Sequence, residues 1–143
     1  MNIREMNIAD YDSVITLMRN TPGVTFRDAD SREATSRYLD RNPGLSFIAE
    51  QNSIVVGCVM CGHDGRRGYL QHLIVSPEHR GKGIAKKMVS LCIERLESLG
   101  IVKAHIDVLI NNETAIQYWT KQGWKKREDI YRFSFLNSTN NNA

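Results

Sequence analysis

The stretch VSPEHRGKGIAKKM, residues 75–88, decides how the chain is interpreted. It leaves an apolar segment through Pro77, passes through a loop with two glycines, and continues as a helix that begins with two lysines. Gly81 and Gly83 have no side chains to keep a ligand away from the main chain, and glycine allows backbone angles that let successive N–H groups converge. Because the first N–H groups of a helix lack intrahelical partners and are partially positive, this stretch predicts a phosphate-binding site.

Four cations surround this loop and favour an anionic ligand: Arg80, Lys82, Lys86 and Lys87. A glycine-containing loop before a basic, solvent-exposed helix start would look the same, so the stretch alone leaves both interpretations open. Two nucleotide-binding motifs fit poorly. The pattern GxxxxGK[ST] is absent, and Lys86 stands at the third glycine position of GxGxxG.

The rest of the chain predicts a mixed α/β fold. Runs rich in β-forming residues predict strands over 2–6, 46–50, 53–60, 69–75 and 105–110, with one or two more in 124–136. Helical periodicity predicts helices over 8–19, 31–41, 84–99 and from Asn111 or Asn112 to Gln122. The order predicts a mixed sheet of roughly six to seven strands flanked by about four helices, with a parallel crossover through the third helix.

Length and composition predict one domain. With 143 residues, of which 41% are hydrophobic, the chain can form one core. We expect a domain over residues 1–136 and a polar, disordered tail over 137–143. No apolar run reaches the roughly 20 residues of a membrane span, and the start lacks the apolar block of a secretory signal, so we expect a cytoplasmic protein without a membrane partner. The net charge of only +3 does not favour a nucleic-acid partner.

Three cysteines raise the question of a metal or redox site: Cys58, Cys61 and Cys92. The first two form a CxxC inside an apolar strand, where residues three apart point to opposite faces. No second pair of Cys or His lies at zinc-ligand spacing. We therefore expect no metal.

The segment RGKGIA, residues 80–85, resembles the [R/Q]-x-x-G-x-[G/A] signature of the GNAT superfamily of acyl-CoA-dependent N-acetyltransferases. Three further motifs match this family in order and spacing: L-x-V-x-P at 73–77, N-x-x-A at 112–115, and G-[F/W/Y] at 123–124. The loop GHDGRRG, residues 62–68, is similar to the G-x-D-G-x-R-G loop of bacterial members. The resemblance implies a GNAT fold.

The resemblance also implies acetyl-CoA as co-substrate and direct transfer of the acetyl group to a primary amine of a small molecule or peptide, in a ternary complex. The residues that it assigns to coenzyme A are Leu73, Ile74, Val75, Arg80, Gly81, Lys82, Gly83, Ile84, Ala85, Asn112 and Trp119. It places a main-chain N–H near Leu73 against the thioester oxygen, where a fixed donor would stabilise the oxyanion formed by amine attack.

The proton-transfer residues depart from the family pattern. Members often have a glutamate base at the position of Tyr69 and a tyrosine at that of Trp119, which protonates the departing thiolate. Strand alternation puts Tyr69, Gln71, Leu73 and Val75 on one face and Leu70, His72 and Ile74 on the other. His72 therefore fits a packed or hydrogen-bonded histidine better than a base, although histidine titrates near neutrality. The catalytic candidates are Leu73, Trp119, Tyr69 and His72.

His63 and Asp64 lie on a loop that could reach the acceptor, and we favour a solvated turn for them. The first two helices and the loop 62–68 are expected to shape the acceptor side. Two rivals remain: an acyl-CoA-binding module without catalysis, and a dinucleotide-dependent enzyme that uses the glycine loop. We take a homodimer as the default assembly.

Overall fold

The computed structural model describes residues 1–143 and contains five strands and four α-helices. The strands are β1 (Asn2–Glu5), β2 (Phe47–Gln51), β3 (Ile54–His63), β4 (Gly68–Val75) and β5 (Ala104–Ile106). The helices are α1 (Tyr11–Arg19), α2 (Arg32–Arg41), α3 (Ile84–Ser98) and α4 (Glu113–Lys121). The strands form one sheet in the order β1-β2-β3-β4-β5, antiparallel except for the parallel pair β4–β5, which α3 connects.

The chain forms two compact units, Met1–Ile106 and Asp107–Ala143. The first contains the sheet and α1 to α3, and the second contains α4 and the C-terminal segment. The mixed α/β class and the parallel crossover through α3 are confirmed. The boundary at residue 136 and the disorder of 137–143 stay predictions. None of the helices combines the length and the apolar character needed to cross a membrane.

The sheet has five strands rather than the predicted six to seven. Residues 124–136 contain no strand, and β5 ends at Ile106 instead of 110. The segment IYRFSF, residues 130–135, has the right residue types, but Tyr131 and Phe133 are 91% and 93% exposed. A strand requires a partner for its backbone hydrogen bonds as well as β-forming side chains. The residue types of 130–135 indicate β-propensity, but they do not indicate whether a neighbouring strand is present to pair with.

Apolar side chains cover both faces of the sheet. On one face α1 packs against a cluster that includes Val14, Met18, Ile48, Cys58, Met60 and Ile74. On the other face α3 lies close to the backbone of β3 and β4, because glycines leave room there. A Cβ at Gly68 would lie 2.5 Å from Leu96 Cδ1, and one at Gly57 would lie 3.3 Å from Met88 Cε. The close packing fixes the position of α3 relative to β4.

The start of the first helical segment is fixed by a capping box. The Asn7 side chain accepts a hydrogen bond from Ala9 N–H at 2.9 Å, and the Asp10 side chain accepts one from Asn7 N–H at 2.9 Å. A short 3₁₀ turn over Ile8–Asp10 precedes α1. The predicted helix over 8–19 is therefore a 3₁₀ turn followed by an α-helix.

A charged cluster ties β1 to the start of α1. The two terminal nitrogens of Arg4 donate to the Asp10 carboxylate at 3.0 and 2.8 Å, and Arg4 Nε donates to Glu50 of β2 at 3.1 Å. Burial raises the pKa of Asp10, but the hydrogen bonds from Arg4 and from Asn7 N–H outweigh it, so the pKa lies below its ordinary value. The ionised carboxylate therefore stabilises the folded state.

We predict that Asp10→Asn lowers the free energy of unfolding by about 2 kcal/mol at neutral pH, because Arg4 loses a charged acceptor. Since the folded pKa of Asp10 lies below the unfolded value of about 3.9, this stabilisation is fully present above about pH 4 and is lost as pH falls through the folded pKa. Urea unfolding of both proteins should give a constant difference from about pH 5 to 7 and a smaller one below about pH 4.

The control is Asp12→Asn, which removes an exposed carboxylate that lies 3.4 Å from Arg32. It should change stability by less than about 1 kcal/mol. A difference between wild type and Asp10→Asn that stays unchanged in acid would contradict the role given to the carboxylate.

Candidate functional site

The sheet opens between β4 and β5. The β3–β4 ladder continues to Val75, which pairs with Gly57. The parallel pairing of β4 with β5 covers only Gly68, Tyr69 and Leu70. Beyond Leu70, β5 therefore offers no partners to the edge of β4, and residues 71–75 present main-chain groups at this edge.

A β-bulge distorts β4 at the start of this open edge. Met60 pairs with Gln71 and Cys58 pairs with Ile74, so three steps along β4 match two along β3. His72 lies in the bulge with φ of +53°, in the left-handed region that non-glycine residues rarely adopt. The Cys58 thiol donates a hydrogen bond to the His72 carbonyl oxygen at 3.3 Å, and burial raises the pKa of Cys58 to about 12, so the thiol stays a donor.

The bulge makes the prediction of strict alternation along β4 wrong beyond Gln71. Met60, Cys58 and Ile74 all lie in the cluster that contacts α1. Met60 pairs with Gln71 and Cys58 pairs with Ile74, and directly paired residues point to the same face of a sheet. Gln71 and Ile74 therefore share a face, although alternation had put them on opposite faces. An extra residue in one strand reverses the direction of every side chain that follows it.

The His72 side chain points to the layer of α1 and α2. Its Nε2 lies 2.8 Å from Asp30 Oδ1, in the 3₁₀ turn Asp28–Asp30 that precedes α2. Both side chains are mostly buried, with 18% and 14% of their surfaces exposed. The prediction of a hydrogen-bonded histidine is confirmed, and the partner, which is 42 residues away in sequence, had no signal in the pattern.

The loop after β4 has the backbone that its glycines predicted. Gly81 and Gly83 have φ of +78° and +79°. Gly83 is the N-cap of α3 and provides no side-chain cap, and the first helical bond runs from Lys87 N–H to the Gly83 carbonyl at 3.0 Å. The N–H groups of residues 84–86 therefore lack acceptors within the chain and remain available to an anion.

Arg80 connects this loop to the end of β4. Its Nε donates to the Val75 carbonyl oxygen at 2.9 Å. The segment between them is held by Ser76 N–H, which donates to the Val56 carbonyl at 2.8 Å, and by a bond of 2.9 Å between Ser76 Oγ and His79 Nδ1. Since the glycines and cations of residues 80–83 are exposed, the loop presents a fixed, positively charged surface.

The remaining predicted residues lie in the second unit. Asn112 accepts a hydrogen bond from Ala115 N–H at 3.1 Å and so caps α4. Trp119 is buried, and its ring packs edge-on against Trp124 with centroids 4.6 Å apart. The neighbouring Tyr118 hydroxyl is buried without a hydrogen-bond partner. The cofactor roles given to Asn112 and Trp119 stay predictions.

The loop 62–68 uses its polar side chains within its own turn. The Asp64 carboxylate accepts from the N–H groups of Arg67 and Arg66 at 2.8 Å each, and these bonds hold the pKa of Asp64 below its ordinary value. His63 Nδ1 accepts from Gly65 N–H at 2.9 Å. This agrees with the favoured interpretation of a solvated turn.

The three cysteines are free and buried. No group of three or more His, Cys, Asp or Glu side chains has the arrangement of a metal site. Cys58 and Cys61 pair with Ile74 and Leu70 of β4, respectively. They are packed within the core of the sheet.

Comparisons with known proteins agree with this geometry. The acetyltransferase (GNAT) family profile matches residues 11–124. An acetyltransferase of Pectobacterium atrosepticum is 35% identical over 121 residues, which cover 85% of each chain. Among solved structures, the PaiA N-acetyltransferase of Thermoplasma acidophilum, in complex with coenzyme A, has a TM-score of 0.75 at 20% identity, over 85% of this chain and 87% of that chain.

A second solved structure is that of the aminoglycoside N-acetyltransferase AAC(6')-Iy, in complex with a bisubstrate analogue. It has a TM-score of 0.73 at 20% identity, over 94% of this chain and 97% of that chain. At these identities the two solved structures establish a shared fold.

The left-handed backbone at His72 generates a prediction about stability. We expect His72→Val to be less stable than His72→Asn by about 1 to 2 kcal/mol, because a β-branched side chain crowds the backbone at positive φ and asparagine tolerates it. The control is the same pair at Gln71, which borders the bulge but is exposed and does not have a positive φ. There, valine should be at least as stable as asparagine. Urea unfolding measures the stability of the valine and asparagine variants at both positions. The same order of stability at positions 71 and 72 would contradict a strained bulge.

Proposed function

The chain belongs to the acetyltransferase (GNAT) family, and on that basis we propose that it transfers an acetyl group from acetyl-CoA to a primary amine of a small molecule or peptide. The observation that supports this most directly is the uncapped start of α3 next to the open edge of β4. The start of α3 suits a diphosphate, and the open edge of β4 suits an extended chain with a thioester at its end. The proposed domain covers residues 1–136.

In this proposal the diphosphate of coenzyme A binds the N–H groups of residues 81–86. The cations Arg80, Lys82, Lys86 and Lys87 add charge attraction, and all four are exposed. The pantetheine arm runs along Leu73, Ile74 and Val75, where β5 does not pair with β4. Two further proposed contacts with the co-substrate are Asn112 and Trp119.

The acetyl carbonyl would lie against the N–H near Leu73, which follows His72 in the bulge. When an amine attacks the thioester, the carbonyl oxygen becomes negatively charged. A main-chain donor fixed in the sheet stabilises that charge without first reorganising, an effect of about 2.7 to 4 kcal/mol for one donor in a studied enzyme. The bulge is thus a means of presenting this N–H.

Direct transfer to the amine is supported by the state of the cysteines. A cysteine nucleophile needs an accessible thiol with a lowered pKa. Cys58 is instead buried, and burial raises its pKa to about 12. For Cys92, the hydrogen bond to Cys61 and burial both raise the pKa. An acyl-cysteine intermediate has no support here.

The amine class is inferred from the acceptor side of the site and from a structural relative. A relative of the same fold is an aminoglycoside N-acetyltransferase, so this architecture serves acetylation of amines on small molecules. We assign the acceptor side to α1, α2 and the loop 62–68. A mass-spectrometric screen of acetylated products over amines, amino sugars and peptides with free N-termini would identify the acceptor.

One alternative is an acyl-CoA-binding module without catalysis, favoured by the absence of glutamate at position 69 and of tyrosine at position 119. A dinucleotide-dependent enzyme is a weaker alternative, because Lys86 replaces the third glycine of its motif. Thermal-shift measurements with acetyl-CoA, NAD and ATP separate them. Stabilisation by NAD without stabilisation by acetyl-CoA would overturn the proposed co-substrate. Binding of acetyl-CoA without thiol release for any amine in the screen would favour the silent module.

We predict that Gly83→Asp weakens acetyl-CoA binding by at least about tenfold, because it puts a carboxylate where the diphosphate binds. The matched control is Gly100→Asp at the C-terminal end of the same helix. Gly100 has φ of +82° and equally open surroundings, so the backbone strain of the two variants is similar. Isothermal titration should show loss of affinity only for Gly83→Asp. Equal affinity in both variants would argue against a diphosphate at this loop.

We predict that Trp119→Phe lowers turnover by less than about tenfold. Releasing coenzyme A as an unprotonated thiolate at pH 7 costs only about 2 kcal/mol, because a thiol with a pKa of about 8.5 is close to neutrality. Phenylalanine keeps an aromatic ring against Trp124. Steady-state thiol release at saturating acetyl-CoA measures the effect, and a complete loss in a folded variant would assign the indole a direct chemical role.

A further inference from the structure

We propose that His72 is the general base that deprotonates the acceptor amine, and that Asp30 is the positioning residue that orients its imidazole. This inference rests on the proposed function, since a base is required only where an amine is acetylated. An alkylamine with a pKa of about 10.4 must be deprotonated at a free-energy cost of about 4.6 kcal/mol at pH 7. The position that often holds a glutamate in this family is Tyr69, which cannot replace it at neutral pH.

The contact between the two side chains defines which imidazole nitrogen is free. His72 Nε2 lies 2.8 Å from Asp30 Oδ1. In the proposed arrangement the Asp30 carboxylate accepts a hydrogen bond from Nε2–H, which leaves a lone pair on Nδ1 of the neutral ring. Nδ1 has no hydrogen-bond partner in the chain, and the side chain keeps 18% of its surface exposed. The proposed ring therefore has a donor on the carboxylate and an unpaired acceptor nitrogen, in a side chain that is partly accessible to solvent.

Asp30 is itself held on two sides. Its Oδ2 accepts from Arg27 N–H at 2.9 Å, and its carbonyl oxygen accepts from the Tyr11 hydroxyl at 2.6 Å. Arg27 directly precedes the 3₁₀ turn, and Tyr11 is the first residue of α1. A carboxylate fixed in this way orients a histidine in the manner of the acidic member of a hydrolytic triad.

The backbone places the proposed base next to the proposed oxyanion donor. His72 and Leu73 are consecutive residues in the β-bulge, at the edge of β4 that β5 leaves unpaired. The left-handed φ of His72 costs about 1 to 3 kcal/mol, and such strain persists where the surrounding structure imposes it. The contact with Asp30 and the bulged register both hold the residue in this conformation.

The groups that surround the pair do not compete for the proton. Burial raises the pKa of the Tyr11 hydroxyl and of the Cys58 thiol, so both stay protonated near neutral pH. Arg32 lies over the Tyr11 ring, with 5.1 Å between its guanidinium carbon and the ring centroid, and Arg19 and Asp12 also act on Tyr11 electrostatically. Asp30 is the carboxylate in direct contact with the imidazole.

The reaction balances with this one base. The ammonium group gives a proton to His72 Nδ1, and the neutral amine then forms the C–N bond as the carbonyl π electrons move to oxygen. The intermediate collapses with cleavage of the C–S bond, and the thiolate takes the second proton that the nitrogen loses. The imidazolium returns the first proton to solvent. The products are the amide, the thiol of coenzyme A and one proton.

The first test compares amines that differ only in their need for a base. Thiol release with acetyl-CoA is measured for putrescine, tyramine and a tripeptide with a free N-terminus, and for hydroxylamine, which is already neutral at pH 7. His72→Asn, which suits the left-handed backbone, should lower kcat/KM for the alkylamines by about 100-fold or more. The loss with hydroxylamine should be less than about tenfold, and the dissociation constant of acetyl-CoA should stay within about twofold.

Asp30→Asn should lower kcat/KM for the alkylamines and shift its pH profile, with partial rescue in Asp30→Glu, because a carboxylate is restored. The charge-matched control is Glu97→Gln, an exposed position near the end of α3 that should change neither quantity. Equal losses for alkylamines and hydroxylamine in His72→Asn, or an unchanged pH profile in Asp30→Asn, would overturn the assignment.

The second test does not depend on the acceptor. Nitrogen-15 NMR of the imidazole in the wild-type protein should show the neutral His72 ring protonated at Nε2, and the signal should move in Asp30→Asn. A ring protonated at Nδ1 would overturn the proposal. If the wild type binds acetyl-CoA and acetylates no amine, the proposed acceptor class fails, and the NMR result then decides the arrangement of His72 and Asp30 on its own.

Discussion

The unequal pairing of β4 is the constraint on which the rest of the first unit depends. One edge of β4 pairs with β3 as far as Val75, and the other pairs with β5 only as far as Leu70. A strand that stays attached on one side and free on the other keeps a defined position while it exposes main-chain donors. The bulge at His72 lies two residues beyond Leu70, the last residue of β4 that pairs with β5, and a bulge increases the local twist of its strand. The eight residues of β4 therefore have one edge that is held by β3 and one edge that is partly open.

The start of α3 is held against this strand by apolar packing and by one hydrogen bond from a side chain of the loop. Glycines at 57 and 68 let Met88 and Leu96 approach the sheet, and the Arg80 side chain joins the loop to the Val75 carbonyl. The N-terminal N–H groups of α3 therefore stay aimed in one direction relative to β4 without a side-chain cap at Gly83. A capping serine or aspartate would stabilise the helix by about 1 kcal/mol, and it would also occupy the donors that an anion needs. Leaving the helix uncapped favours ligand binding over helix stability.

The sequence was sufficient wherever the determining interaction is local. Asn7 with Asp10, and Gly81 with Gly83, act through neighbours a few residues away, and their cap and positive φ angles were predictable. The bulge at His72 was not, because it is a mismatch of length between two strands and leaves no mark on alternation. The pairing of His72 with Asp30 joins residues 42 apart and requires the fold to be known. In residues 124–136 the sequence predicted strands that the structure does not contain, because β-forming residues there have no strand partner.

The energetics of acetyl transfer explain why a strained histidine beside an open strand edge would be of use to this family member. An oxyanion donor lowers the barrier by about 2.7 to 4 kcal/mol, but it acts only after a neutral amine has attacked. The cost of deprotonating an alkylamine is about 4.6 kcal/mol, and neither the loop nor the open edge reduces it. General-base catalysis typically contributes about 10²- to 10⁴-fold, or about 3 to 5 kcal/mol, which is of the size required. The strain of about 1 to 3 kcal/mol at His72 is taken from the stability of the fold and is smaller than that gain.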